Sequence, residues 1–143
     1  MSRTYVLDAN AVLDFVENGP GAERVEKLLT GALHGDSSVL ISVVNWGEVF
    51  YHSWQERGEE LARKTIANLS QLSIETVPVD LEQSLTAAAI KARHKIPYVD
   101  CIAAALAIMR RAVLVTSDRD FEKLGRRIRV LWTKHPRHHV PSP

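Results

Sequence analysis

At 143 residues and 45% hydrophobic side chains, the chain is long enough to bury one core and too short for a second full domain to be expected. A single cysteine, Cys101, excludes an internal disulfide framework and a cysteine-based zinc cluster; no apolar run is long enough to span a bilayer and no secretory leader opens the chain, so a cytoplasmic protein is expected. The net charge of +1 conceals an asymmetry, because Arg126, Arg127, Arg129, Lys134 and Arg137 follow Lys123 with no acid among or after them, a pattern compatible with phosphate contacts and equally explained by a solvated surface.

Thr4-Tyr5-Val6-Leu7 reads as a short strand covered on both faces, since its apolar run lacks polar alternation. It delivers Asp8 and, two residues on, Asn10. An acid at the carboxyl end of a parallel strand stands in the crevice where α/β sheets bind ligands. Asp is also a good helix cap, and the local sequence leaves both readings open. Ala11–Val16 reads as a short helix closed by Asn18-Gly19-Pro20-Gly21. From about Ala22 an amphipathic helix follows, with Val25, Leu28, Leu29 and Ala32 on one face. Val39–Val44 reads as a second buried strand. From Asn45 the pattern is helical: Trp46, Val49, Phe50 and Trp54 line one side, and Glu48 falls in the first turn, where the helix dipole favours a carboxylate. His52, one turn beyond Glu48, reads as a surface residue rather than a ligand.

Glu59–Leu72 predicts an amphipathic helix facing the core through Leu61, Thr65, Ile66, Leu69 and Leu72. Ile74–Val79 alternates and contains Pro78, which predicts an edge strand. Asp80 with Gln83 three residues on resembles a capping box, and the helix behind it is expected to turn Leu81, Leu85, Ala88, Ala89 and Ala92 inward. Tyr98–Arg111 is rich in alanine, which suits a helix packed closely on a sheet. Asp100, in its opening turn, is either a cap or a ligand. Ala112–Thr116 is a further buried strand followed at once by Ser117-Asp118, mirroring the opening of the chain. A short helix around Phe121–Gly125 and a last strand, Ile128–Trp132, complete the domain, expected over residues 1–133. The remainder, 134–143, is a basic tail whose prolines and His135, His138 and His139 lack the material for a core, and these histidines read as tail residues rather than ligands.

Strands interleaved with helices predict an α/β fold with a mostly parallel sheet. Four acids, Asp8, Glu48, Asp100 and Asp118, fall at strand exits or helix openings. Val6-Leu7-Asp8-Ala9-Asn10, Ile41-Ser42 with Glu48, Tyr98-Val99-Asp100-Cys101-Ile102-Ala103-Ala104-Ala105-Leu106 and Val115-Thr116-Ser117-Asp118-Arg119-Asp120-Phe121 together resemble the successive motifs of PIN-domain ribonucleases. The Thr-x-Asp-x-Asp-Phe ending most resembles the VapC-type toxins, and the resemblance runs from about Tyr5 to Trp132. It implies a three-layer α/β/α domain with a five-stranded parallel sheet of order 3-2-1-4-5. It also implies an acidic quartet of Asp8, Glu48, Asp100 and Asp118, polar supporting positions at Asn10 and Thr116, and an additional acid at Asp120. By the same resemblance the protein is a toxin that cleaves RNA with Mg²⁺ (Mn²⁺ possible), is silenced by a cognate antitoxin and forms a homodimer.

Electrostatics independently favours a cation at such a site. Two carboxylates about 5 Å apart repel by roughly 3 kcal/mol at an effective dielectric near 20, and a hard divalent ion relieves that repulsion. Asp8 and Asp118 are the expected direct ligands, with Glu48 and Asp100 holding waters or a second ion. Two other classes compete. A haloacid-dehalogenase-like phosphotransferase would carry a second Asp where this chain has Asn10, and a lysine after a later strand, which is missing between Thr116 and Arg119. A non-catalytic acidic scaffold would bind a protein partner through the same surface.

Overall fold

The computed structural model describes residues 3–134, so Met1, Ser2 and the tail beyond Lys134, with its three histidines, lie outside the described residues. The elements run β1 (Arg3–Leu7), α1 (Ala9–Val16), α2 (Ala22–Leu33), β2 (Ser37–Ser42), α3 (Val43–Arg57), α4 (Glu59–Leu69) and β3 (Glu75–Val77). They continue with α5 (Leu81–Arg93), α6 (Tyr98–Met109), β4 (Val113–Thr116), a 3-10 segment (Arg119–Arg127) and β5 (Arg129–Trp132). Every strand pairing is parallel, and the order is β3-β2-β1-β4-β5, as the resemblance implies. The chain builds outward from β1 through β2 to β3, then returns to lay β4 on the other side of β1. The order therefore reverses between β1 and β4, the place where α/β sheets open a ligand crevice.

Strand side chains alternate between faces, and each central strand is apolar on both. Val6, Leu40 and Leu114 pack with α5, α6 and Phe121 on one side, whereas Leu7, Ile41 and Val115 pack with α1, α2, α3 and α4 on the other. Helix α6 is buried from Asp100 through Ala107, as its alanine content predicts. β3 is the edge strand expected from Pro78. Among the described residues no helix is long and apolar enough to cross a membrane.

Several expectations need correcting. β2 stops at Ser42, whose hydroxyl accepts the Val44 N–H at 3.2 Å and caps α3. Val43 and Val44 thus open the helix instead of extending the strand, and Glu48 lies in the second turn, not the first. Trp54 is largely exposed and meets Phe50 edge-on at 5.7 Å. In α4 it is Ala62 and Leu69 that are buried, with Leu61 half exposed.

The largest reversal concerns α5. Gln83, Ala87 and Ile90 face inward, while Leu81 and Leu85 are 74% and 61% exposed and Ala88, Ala89 and Ala92 also face solvent. Small Ala87 admits the close approach of the alanine-lined α6, and the Gln83 amide donates to the Ile102 carbonyl at 3.5 Å. Asp80 caps α5 by accepting the Gln83 N–H at 2.8 Å, so only one half of the predicted capping box forms. The segment after Asp118 is a 3-10 helix broken at Gly125, whose φ of +56° suits glycine.

Candidate functional site

Asp8 stands where the sequence places it, directly after β1, and it also caps the helix that follows. Its N–H donates to Val115 O of β4 at 3.3 Å, and its Oδ1 caps α1 by accepting the Ala11 N–H at 2.8 Å. The other oxygen, Oδ2, accepts the hydroxyl of Thr116, the last residue of β4. Thr116 Oγ1 in turn accepts the Asp118 N–H at 2.9 Å, and Asp118 Oδ1 accepts the Asp120 N–H at 2.9 Å. Thr116 therefore couples the two strand ends across the reversal point. Asp8 and Thr116 are buried, while Asp118 is partly open to solvent.

Glu48 and Asp100 approach from helices. Asp100 is buried in the first turn of α6, with its own N–H satisfied by Pro97 O at 3.0 Å. Asn45, fully buried at the start of α3, ties the two together: its Nδ2 donates to Glu48 Oε1 at 3.4 Å and to Val99 O at 3.2 Å. Its Oδ1 is buried with no hydrogen-bond partner among the described residues. Buried acceptors are ordinarily satisfied, so this oxygen is available to a cation or its water.

The electrostatics of the acids follow from this arrangement. Burial pushes the Asp8 carboxyl up to about 7; the Thr116 hydroxyl and the Ala11 N–H pull it down, and the charges of Asp100 and Asp118 raise it further. Asp100 is also raised to about 7, by burial first and then by Asp118, Glu48 and Asp120. These acids thus share one electrostatic neighbourhood at the carboxyl edge of the sheet. They do not close into a preformed cage: among the described residues no three His, Cys, Asp or Glu side chains are close enough to grip a single ion. An open, all-oxygen arrangement still fits a hard cation such as Mg²⁺, which uses one or two carboxylates directly and keeps several waters.

The secondary candidates separate. Asp120 is half exposed and pairs with Lys123 at 3.5 Å. Asn10 is exposed in the first turn of α1, with no hydrogen bond among the described residues. His52 stacks on Tyr51, ring centroids 4.7 Å apart, rather than meeting the acids. Two residues that the sequence did not single out join the site. Asn45 is one; its signal would have been a buried amide one turn before Glu48. Tyr51 is the other: it lies three residues beyond Glu48 and is 45% exposed, and its hydroxyl is raised by burial and by the charges of Glu48 and Asp100.

Comparison with known proteins agrees with this architecture. A chain of the VapBC2 complex from Rickettsia felis, bound to a DNA fragment from its promoter, superposes with a TM-score of 0.72 at 16% identity over 90% of this chain and 97% of that one. DNA-bound VapBC from Salmonella typhimurium gives 0.71 at 20% identity over 94% and 100%. VapC20 from Mycobacterium tuberculosis, described as a sarcin-ricin loop cleaving toxin, gives 0.70 at 16% identity over 85% and 95%. Such low identities speak for the fold alone. No curated protein sequence matches the chain. The PIN domain profile matches residues 5–127, from within β1 to the last residue before Ile128, and so spans all four strand-end and helix-opening acids. A match of that extent makes the chain a member of the PIN domain family.

Proposed function

We propose that this PIN domain is a Mg²⁺- or Mn²⁺-dependent endoribonuclease and the toxin of a toxin–antitoxin pair, with the nuclease domain occupying residues 1–133 and 134–143 an appended tail. One observation carries the reading: Thr116 joins the Asp8 carboxylate to the backbone of Asp118 across the reversal point, and the opening turn of α6 brings Asp100 close enough for the charges of Asp118 and Glu48 to raise its carboxyl. In this reading Asp8 and Asp118 hold the cation directly, and Glu48 and Asp100 act through its waters. When bound, the ion supplies an activated water and neutralises charge on the scissile phosphate.

The chain's own residues supply positioning. Thr116 and the Ala11 N–H fix the Asp8 carboxylate while leaving it lone pairs to offer. Asn45 orients Glu48, and the positive end of α6 steadies a negative charge on Asp100. The exposed Tyr51 ring offers a base a stacking face beside the acids. Family membership favours hydrolysis over the phosphotransferase alternative. The test is cleavage of host total RNA and of structured RNAs with Mg²⁺, Mn²⁺ or EDTA. Discrete metal-dependent fragments are expected, and intact RNA under every metal would leave only a binding role for the acids.

Two partners belong to the same proposal. Similar folds crystallised as VapBC complexes support an antitoxin covering the acidic site. A second copy is the proposed partner of the α5 stripe, Leu81, Leu85, Ala88, Ala89 and Ala92, whose leucines flank small residues and suit antiparallel self-packing of one helix on its copy. Light scattering should give a dimer for the native chain and a monomer for Leu81→Glu/Leu85→Glu; an unchanged mass would rule this face out.

A further inference from the structure

The basic run that begins at Arg126 is split by the fold, and part of it gains a partner from elsewhere. Arg126, Arg127 and Arg129 meet Arg111 around a depression of about 410 Å³ at the amino edge of the sheet, where β4 and β5 begin. Ala107, Ile108, Ala112 and Ile128 complete its lining, all but Ile108 almost fully buried. None of the four guanidiniums pairs with an acid among the described residues, whereas Arg119 and Lys123, earlier in the 3-10 segment, bind Glu122 and Asp120. All four arginines are exposed.

The backbone at Arg111 is informative. Its φ is +51°, in the left-handed position that ends α6, with Ala112 N–H returning to Ala107 O at 2.8 Å. Glycine or asparagine is the usual choice at such a helix end, and arginine is held there against its conformational preference. Cations also suit a helix C-terminus, but that does not account for the three arginines arriving from the other segment. A merely solvated edge explains the basic run itself but not the convergence of Arg111, held in a left-handed backbone, with the three arginines of the other segment.

We propose that this depression is a second contact site for the RNA, holding phosphates upstream or downstream of the cut with its guanidiniums. The inference rests on the ribonuclease reading. It also answers a difficulty in that reading, since the acids at the carboxyl edge repel a polyanion and leave the chain needing cationic surface elsewhere. The 3-10 segment crosses from Asp118 back to the start of β5 and so joins the two edges. Between them lies the length of β4, about 13 Å for its four residues.

The experiment is anisotropy of a labelled 30-nucleotide single-stranded RNA in EDTA, titrated across salt concentrations, for the native chain, Arg111→Gln/Arg126→Gln/Arg127→Gln, and the same three positions as Lys. Loss of three phosphate contacts should weaken binding about tenfold near 0.1 M salt and flatten the log-log salt slope by about 2, with Lys restoring most of both. Arg111→Gly gives an independent readout: relief of the left-handed backbone should raise the melting temperature while RNA binding falls, a combination that a structural role would not produce. Unchanged affinity and slope in the folded triple-Gln variant would overturn the site. Cleavage separates the two proposals. Native chain that binds RNA through these arginines yet cuts none refutes the nuclease, while metal-dependent cutting with unaltered binding in the variant refutes the depression alone.

Discussion

Asp8→Asn is expected to abolish metal-dependent RNA cleavage, by about a thousandfold or more, while leaving the protein folded. The isosteric amide keeps an oxygen to accept the Ala11 N–H, and Asn caps helices as well as Asp does. What disappears is the charge, together with the Oδ2 acceptor of the Thr116 hydroxyl, which must rotate to accept from the amide NH2 instead. A cation that contributes several kcal/mol of transition-state stabilisation loses a direct ligand, and Asp100 and Asp118 lose a repulsive neighbour. Removing a buried carboxyl that is costly to ionise should make the metal-free protein more stable at pH 8, even as it becomes inactive. Lower activity accompanied by a higher melting temperature separates loss of chemistry from loss of fold. Should Asp8→Asn retain more than a tenth of native cleavage, Asp8 is not a metal ligand in this reaction.

The parts of the site carried by unbroken strands were readable from the sequence. Tyr5-Val6-Leu7 and Ala112-Val113-Leu114-Val115 are unbroken apolar runs that lead to an acid within a few residues, which reads as a buried parallel strand, and the observed order β3-β2-β1-β4-β5 sets those ends side by side. The helical contributions were less readable because their signals are ambiguous. Val43 and Val44 are β-branched and continue the apolar run of β2, yet Ser42 caps α3 before them. On α5 two small-residue faces compete at the same 3.6-residue period: the stripe starting at Leu81, and that formed by Gln83, Ala87 and Ile90. Periodicity cannot rank them. Contact with α6 ranks them, and it selects the face where Ala87 admits close approach and the glutamine finds a carbonyl. Asn45 and Tyr51 were missed for a related reason. Their roles depend on what lies across from α3, namely Val99 O and Asp100, rather than on any spacing within it.

The metal-free protein should lose stability as pH rises from about 4 to 8, and a divalent cation should restore it. Asp8 and Asp100 have folded-state pKa values raised from 3.8 to about 7. In the unfolded chain both carboxyls ionise near 4, whereas in the fold they keep their protons until neutrality. Between those values the unfolded state binds fewer protons, so each upward step in pH favours unfolding. The contribution is fully present below about 4 and gone above about 7. For the enclosed Asp8 a shift of that size corresponds to about 4 kcal/mol, and Asp100, nearer the rim and sharing the same repulsions, adds less than a second such amount. In a domain of this length a loss of that order lowers the melting temperature by about 15 °C or more. The informative quantity is the difference between the native chain and Asp8→Asn across pH, because the remaining titrating groups are common to both. That difference should widen from pH 5 to pH 8 without metal. With Mg²⁺ or Mn²⁺ the native curve should rise at pH 8 and scarcely move at pH 5, where protons already occupy the carboxyls that the ion must displace. Parallel curves for the two proteins would mean that Asp8 is ionised in the fold without help, and the electrostatic argument for a cation at this edge of the sheet would fail with it.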